Sequence, residues 1–447
     1  MLPLSWLSAL LGIALAATAL PRLAGPGNGF TVANPRGIED LVITKVNILN
    51  GVYHRPSTTK TWHAKSAQAN PGSLSLRLVN NFYGGQVNAY IQGLDSNNKI
   101  VFVLGDGSLV YPSSRGSGAP VAIRQNLAVP LTGTGGTFEI ILPIALSSAR
   151  IYFAEGELSF FMVKTPTGDG LVQPSTNPQD PNAGLNWGFV EFTYAADLTV
   201  FANISYVDFV GMILSMALSV TDGTGTQITR SLPSGAVSHI CSGLVNQTSD
   251  EGYPWSSSCI TSPSGTLLRV LSPGKIKSNA FESYWNTYVD QVWSHYTSNP
   301  LTINTQSGTG DAICQVSGAT MTCNGDNRGY AKPTAADIWG CNSGPFERLA
   351  SDNAVHVAVI PRLCAAFVRS TLLLAGGNVQ PSLDSSHYYT VSPTDHYSRL
   401  IKQFEVDGKG YTFPYDDVSP DGNENASGTV SSGKPSVLTV YIGASPP

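Results

Sequence analysis

The sequence predicts a mainly β protein with a mixed α/β segment inserted into it. Short apolar runs separated by Gly, Pro, Asn and Asp recur from residue 41 to about 230, which is typical of an all-β sandwich or barrel. Residues 231–384 instead contain apolar side chains at spacings of three and four, which favour helices. The β pattern returns after this segment. We therefore predict a discontinuous β domain, 37–230 plus 385–447, and an α/β domain at 231–384.

The first β region is built from short runs of similar length. The predicted strands cover residues 41–49, 74–79, 87–91, 100–104, 109–111, 138–142, 149–153 and 158–164. A loop with four prolines follows at 166–186, and long loops inside compact domains are often functional. Two more strands are expected beyond this loop, around Glu191 and Asp208.

The middle segment is predicted to contain helices. Residues 275–298 place aromatic side chains on one helical face, and Pro273 and Pro300 are suitable boundaries. Residues 345–375 are also compatible with helix, and Pro361 is expected to divide them into two helices. A last strand at 437–442 would make the β domain discontinuous if it returned to the first sheet.

The N-terminus is typical of an exported protein. Residues 2–20 are almost all apolar, and Ala17-Thr18-Ala19 provides the small-x-small pattern of a signal peptidase site. We predict a signal peptide at 1–19 and an extracellular, secreted mature chain. A membrane anchor is the alternative, but the cleavage pattern favours removal. No later segment approaches the ~20 apolar residues that a membrane helix needs.

Six cysteines lie between residues 241 and 364, and an even number after a signal peptide indicates disulfides. Sequential pairing (241–259, 314–323, 341–364) is the simplest arrangement, although the sequence does not select it. No metal-binding spacing occurs, and neither a metal nor a cofactor is expected.

Of three N-glycosylation sequons, Asn246 and Asn425 lie in polar, loop-like sequence. Asn203 lies in a predicted strand and is expected to be unmodified.

The charge pattern excludes several partner classes. The formal net charge is −5, only 12% of residues are charged, and there is no run of Lys or Arg. Nucleic acids and anionic membranes are therefore poor candidates. Low charge with abundant Gly, Ser, Thr and Asn suits an extracellular protein that binds a neutral polymer, and we expect a monomer.

Two acids in this weakly charged chain are the strongest candidates for chemistry. Glu191 and Asp208 lie among aromatic and β-branched residues, where an unpaired carboxylate is costly. Strict alternation puts Trp187, Phe189, Glu191 and Thr193 on one strand face. Two carboxylates near aromatic rings are typical of a sugar-cleaving site. The alternative for Glu191 is a carboxylate at the rim of an edge strand.

Asp208 is harder to place, because alternation puts it on a face that resembles core. A hairpin turn at 195–197 would set Glu191 opposite about Phe201, leaving Asp208 more than roughly 20 Å away along a straight strand. The strand must therefore bend if the two acids are to meet. The alternative is an Asp208 bonded to backbone donors. Asp416 and Asp417 are candidates for the same cleft, although a structural turn role is favoured for both.

Several motifs in order resemble the glycoside hydrolase family 64 β-1,3-glucanases, which are related to thaumatin-like proteins. The similarity runs from about residue 37 to 442. It is carried by residues 149–153, Gly156, Leu158, 172–174, Asn177-Pro178, 180–182, 187–194, 203–208, 396–398 and 411–418.

This resemblance implies a thaumatin-like β-barrel domain beside an α/β domain, with a wide groove between them. It also implies endo-type hydrolysis of β-1,3-glucan with inversion, in which Glu191 is the general acid and Asp208 the base. Thr193 and Ser205 match sugar-contacting positions, and Trp187, Asp416 and Asp417 complete the predicted substrate-binding set. The alternatives are a non-catalytic thaumatin-like glucan-binding protein and, less favoured, a structural wall protein.

Overall fold

The computed structural model describes residue 43 and residues 73–276, 279–420 and 425–443. The predicted signal peptide at 1–19 lies outside the described residues, as does the first predicted strand apart from Ile43. Ile43 is buried against Phe161, Val163 and Val172.

Strands are present at each predicted run between residues 74 and 164, but the strand at Gly168–Val172 lies within the predicted loop at 166–186. The strands of the described residues are β1 (Ser75–Asn80), β2 (Val87–Leu94), β3 (Ile100–Val103), β4 (Leu109–Val110), β5 (Val121–Ala122), β6 (Val129–Pro130), β7 (Gly136–Ile141), β8 (Leu146–Glu155), β9 (Phe161–Thr165), β10 (Gly168–Val172), β11 (Trp187–Tyr194), β12 (Val200–Ile204), β13 (Phe209–Val210), β14 (Leu214–Val220), β15 (Thr226–Thr229), β16 (Cys259–Thr261), β17 (Leu267–Leu271), β18 (Leu301–Asn304), β19 (Asp311–Ser317), β20 (Thr320–Cys323), β21 (Val379–Gln380), β22 (Val430–Ser432) and β23 (Pro435–Ile442).

The helices of the described residues lie between β15 and β22. They are α1 (Ala236–Glu251), α2 (Asn286–Ser298), α3 (Ala335–Gly340), α4 (Ala354–Val368) and α5 (His396–Phe404), with short 3₁₀ turns at Trp255–Ser258, Pro273–Lys275, Gly344–Phe346 and Ser385–His387. No helix in the described part of the chain is long and apolar enough to span a bilayer.

Two large sheets form the β region and confirm its mainly β class. One has the order β15-β14-β23-β1-β7, and the other has the order β22-β12-β11-β8-β2-β3-β4 with β6 beside β2. Apolar residues of both sheets, such as Leu76 and Val440 in the first and Ile151 and Val190 in the second, belong to one buried cluster. The two sheets therefore share a core, as in a sandwich.

The last strand returns to the first sheet. β23 pairs in parallel with β1 and antiparallel with β14, so it lies between the two. The C-terminal segment is thus part of the N-terminal sheet, which is the arrangement that the apolar run at 437–442 predicted. The domain limits at 230/231 and 384/385 stay a prediction.

Strand β11 is central and buried on both faces. Val190 and Phe192 face the large core, whereas Trp187 and Phe189 pack in a second cluster with Tyr152 and its neighbours. β11 lies between β8 and β12, so Glu191 is not on an edge strand. The alternation predicted from sequence therefore holds along this strand.

The middle segment combines helices α1 to α4 with the sheet β20-β19-β18-β21 and with strands β16 and β17, which pair with β13 of the preceding β region. Its three disulfides pair sequentially. The pairs are Cys241–Cys259, Cys314–Cys323 and Cys341–Cys364. The first joins α1 to β16, the second joins β19 to β20, and the third joins the end of α3 to α4. The structure thus selects the simplest of the arrangements that the sequence left open.

Three predictions about helices in the second half of the chain were wrong. Helix α2 begins at Asn286, not at 275, because Phe281 and Tyr284 pack around Trp255 in an aromatic cluster. Pro361 lies inside α4 and does not divide it. The α4 helix has 12 buried residues among its 15, and this burial outweighs the roughly 3 kcal/mol that an internal proline costs.

The third error concerns the return of β structure from residue 387. Helix α5 (His396–Phe404) lies in this stretch, with Asp395 capping it through the backbone N–H groups of Tyr397 and Ser398. Asp is a strong N-cap residue. The sequence Asp395-His396-Tyr397-Ser398 therefore contains a helix start signal that the prediction of β structure did not take into account.

Candidate active site

Glu191 lies in the middle of β11, directly opposite Arg150 of β8. Its Oε1 accepts hydrogen bonds from Nη2 of Arg150 at 2.9 Å and from Nε at 3.2 Å. The Glu191 side chain is only 3% exposed. Among the described residues, no hydrogen bond reaches Oε2. One carboxylate oxygen is thus fixed by a cation and the other remains available.

Arg150 links Glu191 to the proline-containing loop. Its Nη1 donates to Oε1 of Gln173 at 2.8 Å and to the hydroxyl of Tyr152 at 3.3 Å, and the Tyr152 hydroxyl also donates to Gln173. The guanidinium carbon lies 4.6 Å from the ring centre of Phe189, a cation–π contact. Because Gln173 directly follows β10, this network ties the start of the loop to the Glu191 strand.

The electrostatics of this network keep Arg150 cationic. Burial on its own lowers the pKa of Arg150, but the nearby Tyr152, Glu191 and Asp208 outweigh it and raise the pKa above its ordinary value. Burial also raises the pKa of Tyr152 to about 12, against the opposing effect of Arg150. Tyr152 therefore remains a neutral hydroxyl at physiological pH.

Asp208 follows a bend that takes the chain out of the large sheet. β12 ends at Ile204, and Phe209 begins β13, which pairs with β17 in a different sheet. The side chain of Asp208 is 40% exposed and its Oδ1 lies 3.1 Å from Nζ of Lys275. The expectation that Asp208 continues a core face was wrong, because the bend interrupts the alternation after Tyr206.

The bend is held by buried tyrosines. The N–H of Tyr206 donates to the carbonyl of Tyr411 at 2.7 Å, and Ser205 forms an isolated parallel bridge with Tyr411. The hydroxyl of Tyr397 donates to the carbonyl of Tyr206 at 2.6 Å. Helix α5 and the segment at 411 therefore fix the path of the chain that leads to Asp208.

The hairpin between β11 and β12 is longer than the sequence suggested. Tyr194 pairs with Val200, so five residues form the loop, and Glu191 lies opposite Asn203 and not Phe201. Leu198 in this loop has φ 71°, a conformation that few non-glycine residues adopt. The register correction brings Asp208 two residues closer along the strand to the position opposite Glu191.

Glu191 and Asp208 share one electrostatic environment. Both carboxylates contribute to the raised pKa values of Arg150 and of Tyr152. The chain bends between β12 and β13, as it must if the two acids are to meet.

The predicted sugar-contacting residues have different surroundings. Thr193 is half-buried at the end of β11, and Ser205 is nearly buried at the bend. Trp187 is 2% exposed and its ring centre lies 4.5 Å from that of Phe209, so it packs in the core and offers no open ring face. Phe201, half-buried and opposite Thr193, is an aromatic residue at the partly open end of this face.

Asp416 and Asp417 stabilise a neighbouring loop. Oδ1 of Asp416 accepts from Arg369 at 3.1 Å, and its Oδ2 accepts from the N–H and hydroxyl of Thr412, both at 3.0 Å. Nζ of Lys402 lies 2.9 Å from the same Oδ2. Asp417 accepts from the hydroxyl of Tyr411 at 2.9 Å. Asp416 is thus a buried structural carboxylate with both oxygens occupied.

Sequence reasoning missed several residues around Glu191. Arg150 was a visible signal, since it is a lone cation within the apolar strand 149–153. Gln173, Asn203 and Lys275 gave no comparable signal, because only the strand register and the chain path bring them to the acids.

The sequons also differ in their surroundings. Asn203 is fully buried, whereas Asn246 and Asn425 are exposed. Asn246 lies on helix α1 and not in the loop that its polar neighbours suggested. A glycan needs an exposed side-chain amide, so the folded chain offers Asn246 and Asn425 as acceptors.

A small open pocket elsewhere in the described residues has one acid in its lining. The lining includes Tyr90, Ile123, Glu157 and Phe160, and neither Glu191 nor Asp208 takes part. Within the described ranges, no group of three or more His, Cys, Asp or Glu side chains is placed to hold a metal ion. Glu191 and Asp208 therefore remain the strongest candidate site.

Comparison with known families places this geometry in context. The model of glycoside hydrolase family 64, described as β-1,3-glucanase, matches residues 72–442. The glucan endo-1,3-beta-glucosidase of Cellulosimicrobium cellulans is 28% identical over 385 residues, covering 81% of this chain and 66% of the relative. The chain thus spans slightly less than two thirds of that relative.

Solved structures share the fold over most of the chain. A laminaripentaose-producing β-1,3-glucanase in complex with laminaritetraose aligns with a TM-score of 0.72 at 26% identity, covering 83% of this chain and 99% of that chain. A β-1,3-glucanase domain from Clostridium beijerinckii aligns with a TM-score of 0.65 at 19% identity, covering 84% of this chain and 100% of that domain. The second match supports the fold alone.

Proposed function

Because the chain belongs to glycoside hydrolase family 64, we propose that it is a secreted endo-β-1,3-glucanase that hydrolyses its substrate with inversion. The observation that carries this proposal is the buried ion pair of Glu191 with Arg150, together with the half-exposed Asp208, whose charge contributes to the raised pKa of Arg150. We further infer that the fold is a thaumatin-like β domain beside an α/β domain, with a wide groove for the polysaccharide between them.

Inversion requires one carboxyl group to give a proton and the other to take one. The acid protonates the glycosidic oxygen as its bond to C1 breaks, while the base removes a proton from the water whose oxygen attacks C1 from the opposite face. The two carboxyl groups then need to lie roughly 6.5–9.5 Å apart, which leaves room for the water.

Each acid has an oxygen that is open for the role that we assign to it. In Glu191, Arg150 occupies Oε1, so a proton would reside on Oε2, the oxygen that no described residue engages. Asp208 is 40% exposed and therefore open to water, as a base that activates water must be. Thr193 and Ser205 lie at two ends of the same region and would bind sugar hydroxyls.

Linear β-1,3-glucan is the substrate for the decisive experiment. The mature protein is expected to release oligosaccharides whose new reducing ends are α-anomers in NMR spectra recorded immediately after cleavage. The Glu191→Gln variant is expected to bind the glucan without hydrolysing it. If wild-type protein binds the glucan and releases no product, the enzyme proposal is wrong and a glucan-binding protein remains.

A further inference from the structure

Asn203 has a buried side-chain amide. It is fully buried, and neither Nδ2 nor Oδ1 has a hydrogen-bond partner among the described residues. Among the described residues, only Gln92 and Glu405 share the feature that both terminal polar atoms are buried and unbonded, and Glu405 lies 3.7 Å from the Lys402 ammonium. Buried polar groups are almost always hydrogen-bonded, so an amide of this kind indicates a ligand or an ordered water.

The register places this amide beside the candidate acid. Asn203 lies directly opposite Glu191, and directly opposed residues of neighbouring strands project from the same face. By alternation Ser205 projects from that face too. Asn203 therefore neighbours Glu191 across the strands and, along its own strand, Ser205, one of the residues proposed to bind sugar hydroxyls.

The chemistry of the unbonded atoms defines what fits there. Nδ2 of Asn203 donates, Oδ1 accepts, and Oε2 of Glu191 is a carboxyl oxygen that no described residue engages. A hydroxyl oxygen satisfies both side chains at once, since it can accept from Nδ2 and exchange a hydrogen bond with Oε2. A further cation is not needed, because Arg150 already balances Glu191.

We propose that Asn203 binds a hydroxyl oxygen shared with Oε2 of Glu191, and that this oxygen belongs to an ordered water or to a hydroxyl group of the glucan. The inference rests on the proposed function, since it gives the bound oxygen a role in orienting Glu191 for proton transfer. A water in this position positions the acid, and a sugar hydroxyl makes Asn203 a substrate-binding residue.

The test replaces the amide by an apolar group of similar shape. Asn203→Leu removes both polar atoms from a site where they have no protein partner, so the fold is expected to tolerate it. Loss of a hydrogen bond to a charged or reacting group costs about a factor of ten or more. If water is bound, kcat falls at least tenfold, the pH–rate profile shifts and glucan affinity is unchanged. If a sugar hydroxyl is bound, glucan affinity measured in the Glu191→Gln background falls at least tenfold.

Gln92→Leu is the matched control. Gln92 is also fully buried with both amide atoms unbonded, but it lies opposite Arg150 of β8, one strand further from Glu191. It is expected to keep kcat and glucan affinity. Asn203→Ser, which provides a hydroxyl in place of the amide, is expected to recover part of the lost activity. It keeps the proposal testable if the leucine variant does not fold.

The proposal is overturned if Asn203→Leu is folded and matches Gln92→Leu in kcat, pH profile and affinity. That outcome differs from failure of the proposed function, in which the wild-type protein itself would not hydrolyse β-1,3-glucan. A crystal structure with a bound β-1,3-linked tetrasaccharide distinguishes the two sources of the oxygen.

Discussion

Two groups of carboxylates in this protein are connected through the bridge between Ser205 and Tyr411, yet have opposite surroundings. Around Glu191 and Asp208, each acid has one cationic partner, and the described residues form no hydrogen bond with the Asn203 amide or with Oε2 of Glu191. Around Asp416, both oxygens are occupied by Arg369, Lys402 and Thr412. The two groups are joined through Tyr411, which pairs with Ser205 at the bend.

This difference distinguishes carboxylates that can bind a ligand from carboxylates that stabilise the fold. Acids alone do not mark a functional region, because Asp416 is buried and both of its carboxylate oxygens already accept hydrogen bonds from protein groups. Glu191 and Asn203 retain unused capacity, which is the feature expected where a ligand binds. The comparison predicts that changes in the first group alter activity and that changes in the second alter stability.

The largest effect is expected for Asp208→Asn. Loss of a general base lowers the rate by roughly 10²–10⁴-fold. Stability should change by less than about 1 kcal/mol, because the pair with Lys275 is partly exposed. Measurements of kcat and of the urea midpoint test both parts. Asp290→Asn, which loses an exposed pair with Lys332 at 2.6 Å, is the control and should keep full activity. Equal rates in the two variants would exclude Asp208 from catalysis.

Asp416→Asn is expected to have the opposite result. It leaves the Arg369 and Lys402 cations without their carboxylate in the interior, which destabilises a protein by about 3–5 kcal/mol. Activity per folded molecule should be retained. Urea denaturation and active-site titration separate the two quantities. The neighbouring Asp417→Asn, which weakens one hydrogen bond from Tyr411, should cost only about 1 kcal/mol. If Asp416→Asn is as stable as the wild-type protein, the structural role assigned to Asp416 is wrong.

Two buried acids near Asp416 also predict a dependence of stability on pH. Burial raises the pKa of Glu405 to about 7 and that of Asp395 to about 6. The folded chain therefore binds these protons more tightly than the unfolded chain does. Their contribution to stability is complete below the unfolded pKa values and is lost as pH rises through about 6 to 7.

Glu405→Gln tests this dependence. The variant should be more stable than wild type at pH 8, by roughly 2 kcal/mol, and nearly equal to it at pH 5. Urea midpoints at the two pH values provide the measurement. Glu139→Gln, at an exposed pair with Arg77, should show no such difference. A Glu405→Gln variant that loses stability at pH 8 would mean that the charged form is the stabilising one.

The smallest effects are expected for the proposed sugar-contacting hydroxyls. Thr193→Val and Ser205→Ala each remove one neutral hydrogen-bonding group, which corresponds to about a 2- to 10-fold increase in KM with little change in kcat. Steady-state kinetics on linear β-1,3-glucan measures both constants. Thr226→Val on β15 is the control. Unchanged KM in both test variants would place substrate binding elsewhere.

Much of the architecture could be predicted from the sequence because it depends on local patterns. Short alternating runs set the strands, and alternation along β11 correctly separated Val190 and Phe192 from Trp187, Phe189 and Glu191. The scarcity of charge made Glu191 and Asp208 conspicuous as candidates. The even number of cysteines after an apolar leader indicated disulfides, which the structure pairs in sequential order.

Only the tertiary structure decided how these elements meet, because pairing between distant segments leaves no local signal. The five-residue loop set Asn203 opposite Glu191, the bend exposed Asp208, and strand register brought Arg150 to Glu191. Burial likewise kept α4 continuous through Pro361 and put Trp187 in the core. Local propensities differ by about 1 kcal/mol per residue, whereas these long-range contacts collectively contribute more, so they determine the site.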